Sequence, residues 1–112
     1  MFYSHSKGRK KNPETLILHE IKKYLESQGY YVHRNQQNIG SMKGTADLTA
    51  LKRDKPAAYI EVKKPGGKLS EHQEKFRDNI LNAGHLFVVA KSIEDVLFLG
   101  KGVEATDDEV DT

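Results

Sequence analysis

Three side chains near the middle of the sequence have the types and spacing needed for phosphodiester hydrolysis. Asp47 opens one apolar segment, and Glu61 and Lys63 lie in the next, Ile60-Glu61-Val62-Lys63. In a β-strand Glu61 and Lys63 share one face, because alternate residues point the same way. Two carboxylates and an ammonium are costly to bury together unless a cation and an anion occupy the space between them. A divalent metal ion with a phosphate beside it fits this arrangement.

The expected chemistry follows from these groups. Mg²⁺ prefers oxygen ligands and keeps several waters in proteins. A bound metal lowers the pKa of such a water, and a nearby Lys neutralises charge that develops on the phosphate. The alternative is a solvated strand face without chemistry. A second Glu-x-Lys, Glu20-Ile21-Lys22, falls on a predicted helix, where residues two apart point to different sides. The bare tripeptide is therefore a weak signal, and its surroundings must carry the argument.

Two helices with clear start signals flank these segments. Asn12-Pro13-Glu14 predicts a helix start, with Asn as the cap, Pro at the first position and Glu at the positive end of the dipole. This helix should extend to about Gln28, with Gly29 as a left-handed stop. Its apolar stripe is predicted to comprise Leu16, Ile17, Ile21, Tyr24 and Leu25. Ser70-x-x-Gln73 is a capping box that starts a second helix, which Gly84 ends.

The remaining segments predict strands. Strands are expected from Tyr30, over 46–51, over 57–63 and over 85–90, the last as a central buried strand. The second and third should form a hairpin, and 35–44 should be a loop. Ser92 is expected to cap a short last helix. The order α-β-β-β-α-β-α, with a crossover through the second helix, indicates an α/β fold with a mixed β-sheet flanked by helices.

Composition limits the class of protein. We expect one domain over 12–100, a flexible basic arm over 1–11 and a flexible acidic tail over 101–112. The chain has 18 Lys and Arg against 16 acids, but from Glu104 onward there are five acids and no base. Residues 1–103 therefore carry 18 bases against 11 acids, which favours a polyanionic partner such as nucleic acid. With no cysteine, no long apolar run and no signal peptide, we expect a cytoplasmic protein without a membrane partner.

The ordered set of motifs resembles the virus-type replication-repair nuclease (VRR-NUC) family of the PD-(D/E)xK nuclease superfamily. The likeness includes Glu20, Gly44-x-x-Asp47 and Ile60-Glu61-Val62-Lys63, and continues through 14–99. It also takes in Gly66-x-x-Leu69-Ser70-x-x-Gln73, Gly84 and Phe87-Val88-Val89. One departure is Ala46, where the superfamily name expects Pro; that position does no chemistry.

The resemblance implies a restriction-endonuclease-like fold and a role for each matching residue. Asp47 and Glu61 would bind Mg²⁺ or Mn²⁺, with the Val62 carbonyl as a further ligand, and Lys63 would act on the water or the phosphate. Glu20 would approach from the first helix, also as a candidate metal ligand, and Gln73 would line the site. From the residues alone, an exposed position is favoured for Glu20, and Gln73 also fits a capping role. Phosphate contacts are expected from Lys10, Lys11, Lys43, Lys64 and Lys68, for which solubility is the alternative.

The predicted function is metal-dependent endonuclease activity on DNA. The resemblance points to branched DNA such as four-way (Holliday) junctions, to a homodimer and to a phage or prophage protein in a bacterial host. Alternatives are a nickase or restriction-like enzyme on linear duplex, a non-catalytic DNA-binding module and a structural protein. No glycine fingerprint for a nucleotide cofactor is present.

Overall fold

A computed structural model describes residues 12–36 and 44–100, which form a mixed four-stranded sheet with helices on both faces. The two long helices are α1 and α2, and a 3₁₀ helix follows the last strand. The elements in chain order are α1 (Pro13–Ser27), β1 (Tyr31–Arg34), β2 (Leu48–Leu51), β3 (Ala58–Val62), α2 (Glu71–Asn82), β4 (Leu86–Ala90) and the 3₁₀ helix (Ile93–Leu99). This confirms the predicted α/β class and its mixed sheet.

Helix α1 begins and ends where its capping residues predict. The Asn12 Oδ1 atom accepts a hydrogen bond from the Glu14 N–H over 2.7 Å, and Gly29 leaves the helix with φ of 94°. The apolar stripe needs one correction. Leu16 is 53% exposed, whereas Leu18, which the predicted stripe omitted, is buried with Ile21 and Leu25. The buried stripe is thus rotated slightly around the helix from the predicted one.

The sheet has the strand order β1-β2-β3-β4, the same as the chain order. Both β1–β2 and β2–β3 pair antiparallel, and β3–β4 pair parallel across the α2 crossover. The predicted hairpin and crossover are therefore confirmed. The prediction that the last strand is central is wrong, because β4 lies at an edge of the described sheet. The strand is apolar because helices cover both faces of the sheet at this position, as is usual for parallel strands.

The core lies between α1 and one face of the sheet. Leu48, Ala50 and Ile60 point from the strands toward Ile21 and Leu25, and all five are fully buried. Burial of each of the four Leu and Ile side chains contributes roughly 1.5–3 kcal/mol. The core therefore fixes the register of β2 against β3.

The 3₁₀ helix is tied to the core by tyrosines. Tyr30, predicted to open a strand, precedes β1 instead; it is buried, and its hydroxyl donates to the Leu99 carbonyl over 2.9 Å. The Tyr24 hydroxyl donates to the Leu97 carbonyl over 3.2 Å. Ser92 occupies the predicted N-cap position of this helix, but its side chain makes no capping bond and donates to Glu94 instead.

Helix α2 covers the opposite face of the sheet. The ring of Phe76 packs edge-on against Tyr59, with centroids 5.5 Å apart, and against Phe87 at 6.2 Å. Leu81, near the end of this helix, is 50% exposed. Gly84 ends the helix with φ of 88°, as predicted.

Several predicted features lie outside the described residues. They are the basic arm over 1–11, the tail over 101–112, and the candidate phosphate contacts Lys10, Lys11 and Lys43. Within 12–36 and 44–100, none of the helices is long and apolar enough to cross a membrane.

Candidate active site

The pairing of β2 with β3 brings Asp47 level with Glu61. Leu48 pairs with Ile60, so the next antiparallel position places Asp47 opposite Glu61 on the same side of the sheet. The Asp47 Oδ2 atom accepts a hydrogen bond from the Val62 N–H over 2.8 Å. This bond holds the first carboxylate against the backbone of the strand that carries the second.

Lys63 shares the face of Glu61, as strand alternation predicts. Glu61 is only 4% exposed, and its Oε2 atom lies 3.4 Å from the Lys63 ammonium. The Lys63 N–H donates to the Ala90 carbonyl over 3.0 Å, which extends the β3–β4 ladder to the base of the lysine side chain. The structure therefore brings together the three residues on which the sequence argument depends.

Gln73 has two simultaneous sets of contacts. Its Oε1 atom accepts from the Ser70 N–H over 2.8 Å, and the Ser70 hydroxyl accepts from the Gln73 N–H over 3.2 Å, which completes the predicted capping box. The other end of the amide, Nε2, donates to Glu61 Oε2 over 2.8 Å. The capping and site positions that the sequence left as alternatives are therefore both occupied by one side chain.

Burial disfavours the ionised forms of the two carboxylates. The pKa of Glu61 is raised from 4.5 to about 7, first by burial and then by the Asp47 charge, against the opposing effects of Lys63 and Gln73. Burial also raises the pKa of Asp47, while the Val62 N–H and the Lys63 charge act in the opposite direction. A site with this imbalance favours an additional positive charge next to the carboxylates.

Glu14, which the sequence analysis treated only as a helix-start residue, lies at this site. Its Oε2 atom accepts from the Lys64 N–H over 3.2 Å, and its charge raises the pKa of Asp47. Glu14 precedes the buried Leu18 by four residues, so it extends the inward face of α1 to the helix start. That spacing was the sequence signal for it.

Glu20, the helix residue predicted for the site, is exposed on α1. It follows Glu14 by six residues, which is about 9 Å along the axis and on a different side of the helix. Within the described ranges no hydrogen bond or ion pair joins Glu20 to Asp47 or Glu61, and it is not among the charges that affect Asp47. The structure does not bring it to the site.

Gly44 lies at the site because its backbone packs closely against the backbone of His72 and Gln73. It has φ of 83°, and a Cβ atom there would lie 2.4 Å from the His72 carbonyl oxygen and 3.0 Å from the Gln73 nitrogen. The backbone before Asp47 therefore lies directly against the first turn of α2. Ala46, the departure from the superfamily pattern, is fully buried beside it, and its carbonyl accepts from the Asn35 side chain.

Comparisons with known proteins identify the family of the chain and support its fold. The family model of the VRR-NUC domain matches residues 9–94 of this chain. The chain belongs to the VRR-NUC family. A solved structure described as a VRR_NUC domain shares 22% identity, with a TM-score of 0.66, and the match covers 77% of this chain and 91% of the other. A second, described as a VRR_NUC domain protein, shares 20% identity with a TM-score of 0.63 over 80% and 86%. At these identities the likeness shows the fold. A search of curated proteins finds no significant match.

The family assignment makes this a nuclease-type domain, and such domains act on DNA. Two of the predicted phosphate contacts, Lys64 and Lys68, are exposed in the segment between β3 and α2 of this VRR-NUC domain. The domain also places Arg34, which the sequence analysis did not select, close enough for its charge to lower the pKa of Asp47. Arg34 ends β1 on the exposed edge of the sheet and could have been inferred only from the strand order.

The donor set of the VRR-NUC domain suits a hard cation with few protein ligands. Within 12–36 and 44–100 no three His, Cys, Asp or Glu side chains lie close enough together to hold a metal ion. Two carboxylates, Asp47 and Glu61, lie side by side with the Val62 backbone next to them. Mg²⁺ is commonly bound by one or two carboxylates and completes its shell with water and phosphate oxygens.

Proposed function

We propose that this VRR-NUC domain is a Mg²⁺- or Mn²⁺-dependent endonuclease that hydrolyses DNA phosphodiester bonds, with branched DNA such as a four-way junction as its substrate. One observation carries the proposal. Glu61 is almost fully buried beside Asp47, with Lys63 3.4 Å from the carboxylate and Gln73 bonded to it. A purely structural strand face does not require an acid with a pKa near 7 in that position.

Each residue of the site has a separate role in the proposed reaction. Asp47 and Glu61 would hold the metal, with the Val62 carbonyl as a further ligand, and the Val62 N–H fixes the Asp47 carboxylate. The bound metal supplies Lewis acidity for the water nucleophile and for the phosphate. Gln73 fixes Glu61 through its Nε2 hydrogen bond.

Lys63 provides the positive charge next to the reacting phosphate. Its ammonium lies on the Glu61 face, from which it can contact a non-bridging phosphate oxygen or the attacking water. In the reaction a bond forms between the water oxygen and phosphorus, one phosphorus–oxygen ester bond breaks, and the leaving oxygen takes a proton. Negative charge grows on the phosphate oxygens, and a fixed ammonium stabilises it.

Glu14 replaces Glu20 as the acid from the first helix in this proposal. It contacts the backbone of Lys64, directly after Lys63, and its charge acts on Asp47. We assign it a positioning role for the segment after β3, together with a contribution to the negative charge that attracts the metal.

A homodimer is the second part of the proposal. Two copies related by a two-fold axis can present two sites to two opposed DNA strands. In the apolar run over 96–99, Val96 and Leu99 are buried, whereas Leu97 is 42% exposed and Phe98 47% exposed. These two side chains are the candidate contact between copies. Sedimentation at micromolar concentration tests this part, and a purely monomeric species would contradict it.

The decisive experiment is cleavage of an end-labelled four-way junction and a matched linear duplex with Mg²⁺, Mn²⁺ or chelator. Wild type should cut the junction only with metal, and Lys63→Ala should lower the rate by roughly 100-fold or more. Lys75→Ala, which removes an exposed lysine of α2, is the control and should keep full activity. Equal cutting of both DNAs would leave a nuclease without junction preference. Binding without any cutting would support the non-catalytic module instead.

A further inference from the structure

The face of the sheet that carries Glu61 continues across β2 to the edge strand β1. Val32 pairs with Ala50, and both point into the core under α1. Their neighbours therefore point to the other face, where Tyr31 is the direct cross-strand partner of Leu51. This is the face on which Glu61 lies.

Helix α2 covers only part of that face. Phe76 packs against Tyr59 of β3 and Phe87 of β4. On the β1–β2 part, Tyr31 is 68% exposed and Leu51 is 44% exposed. An exposed aromatic ring next to an exposed aliphatic side chain, on the same face as a candidate active site, is a surface suited to binding a flat apolar group.

Basic residues lie at both ends of this exposed pair. Arg34, at one end of β1, acts on Asp47. At the other end, Arg53 is exposed in the turn after Leu51, whereas the Lys52 ammonium donates to the Gln28 carbonyl over 2.9 Å and lies over the Tyr30 ring. The separation of Tyr31 from the level of Asp47 is four residues, or about 13 Å along the strands. A nucleic acid strand whose phosphate lies at Asp47 reaches this distance within a few nucleotides.

We infer that the Tyr31–Leu51 surface binds an unpaired base of the DNA substrate, by stacking on the Tyr31 ring. The inference rests on the proposed function and narrows its substrate to branched DNA that carries unpaired nucleotides at or beside the branch. Aromatic side chains stack on any base and are combined with positive charge in surfaces that bind single strands. The exposed Arg53 beside the pair supplies a backbone contact, and the ring supplies the selectivity for unpaired over paired DNA.

A second copy of the chain fits this surface less well. The apolar part consists of two side chains, and a two-fold contact would bring its cationic margins against the same margins of the partner. A polyanion matches both the ring and the surrounding charge.

The test is DNA binding by the full chain in chelator, so that no cleavage occurs. Fluorescence anisotropy compares a duplex bearing a single-stranded arm with a fully paired duplex of equal length. We expect Tyr31→Ala to weaken binding to the arm-bearing DNA roughly fivefold or more, the lower limit for loss of one stacked base. Tyr31→Phe, which keeps the ring, should bind as wild type. Leu16→Ala removes a 53% exposed apolar side chain of α1, on the other side of the sheet, and should not change the preference.

Three results would overturn the inference: unchanged binding by Tyr31→Ala, an equal loss on both DNAs, or a change in sedimentation that identifies the surface as a contact between copies. Because binding is measured without metal, the inference and the proposed function fail separately. A wild type that cuts nothing yet loses selective binding on Tyr31→Ala would keep the docking surface and remove the nuclease. A wild type that cuts normally while Tyr31→Ala binds unchanged would do the reverse.

Discussion

Gln73 Nε2 donates to Glu61 Oε2 across 2.8 Å, from the first turn of α2 to the buried end of β3. The same glutamine closes the capping box through its other amide atom. The start of α2 and the candidate active site therefore depend on one side chain, and the two dependences can be separated by mutation.

Ser70→Ala and Gln73→Ala should have similar effects on stability and different effects on activity. Each removes one half of the capping box, at a cost of about 1 kcal/mol and a melting temperature lower by several degrees. Only Gln73→Ala releases Glu61, so only it should also lower the cleavage rate. Thermal melts and single-turnover cleavage check this. An equal loss of activity in both variants would show that the cap, not the Glu61 contact, matters.

Glu61→Gln should stabilise the metal-free protein at pH 8 more than at pH 5. The folded pKa of Glu61, about 7, exceeds its ordinary value of 4.5, so the folded state binds more protons between these values. Stability from this group is therefore highest at low pH and is lost as pH rises from 4.5 to 7, by roughly 3 kcal/mol in all. The glutamine variant lacks this loss. Urea unfolding of both proteins at the two pH values, in chelator, measures it; a difference independent of pH would contradict it.

Mg²⁺ or Mn²⁺ should raise the melting temperature of wild type, and more at pH 8 than at pH 6. A ligand that binds only the folded state stabilises it, and protons on Glu61 compete with the metal. Asp47→Asn should reduce the shift strongly. Thermal melts at increasing Mg²⁺ or Mn²⁺ concentration, at both pH values, provide the measurement. The absence of any shift at millimolar metal would argue for a solvated, non-catalytic strand face.

Glu14→Gln should reduce cleavage, whereas Glu20→Gln should leave it unchanged. Both substitutions remove one charge from α1, but only Glu14 contacts the segment after Lys63 and acts on Asp47. We expect an effect on the order of tenfold or more, as for outer contacts of metal sites. Parallel assays with the two variants at equal, saturating metal concentration decide the matter. A loss in Glu20→Gln alone would restore the original assignment.

Gly44→Ala should destabilise the fold more than Gly66→Ala. Both glycines have positive φ, 83° and 85°, so both variants bear the cost of a left-handed residue, about 1–2 kcal/mol. Only at Gly44 would the new methyl group collide with the backbone of α2; at Gly66 nothing lies within 4 Å. Denaturant midpoints should differ accordingly, and Gly44→Ala should also lose activity because α2 is displaced. Equal midpoints would show that the close approach carries no cost.

Features set by neighbours in the sequence could be predicted well. The caps at Asn12 and Ser70 and the shared face of Glu61 and Lys63 follow from hydrogen bonds and alternation within a few residues. The hairpin and crossover follow from element order, and the family motifs narrow the fold further. These are local rules, and the sequence contains everything they need.

Features set by tertiary packing could not be predicted. The apolar β4 resembles a central strand because helices cover both of its faces, and nothing in its own residues shows that it is an edge. The choice between Glu14 and Glu20 depends on the rotation of α1 about its axis. The predicted apolar stripe included Leu16, which is exposed, and omitted Leu18, which is buried. The predicted rotation of the helix was therefore slightly wrong. Arg34 came to the site through strand pairing alone.

Asn35 and Gly44 fix the two ends of the intervening segment independently of its length. The Asn35 N–H donates to the Asp47 carbonyl, and its side chain bonds to Ala46 and Thr49. Gly44 is held against His72. The backbone that carries Asp47 is therefore held from both sides by contacts that lie within the described residues. Asn35 and Gly44 thus act as a clamp for Asp47, and loss of either would change the carboxylate position even though neither residue carries a charge.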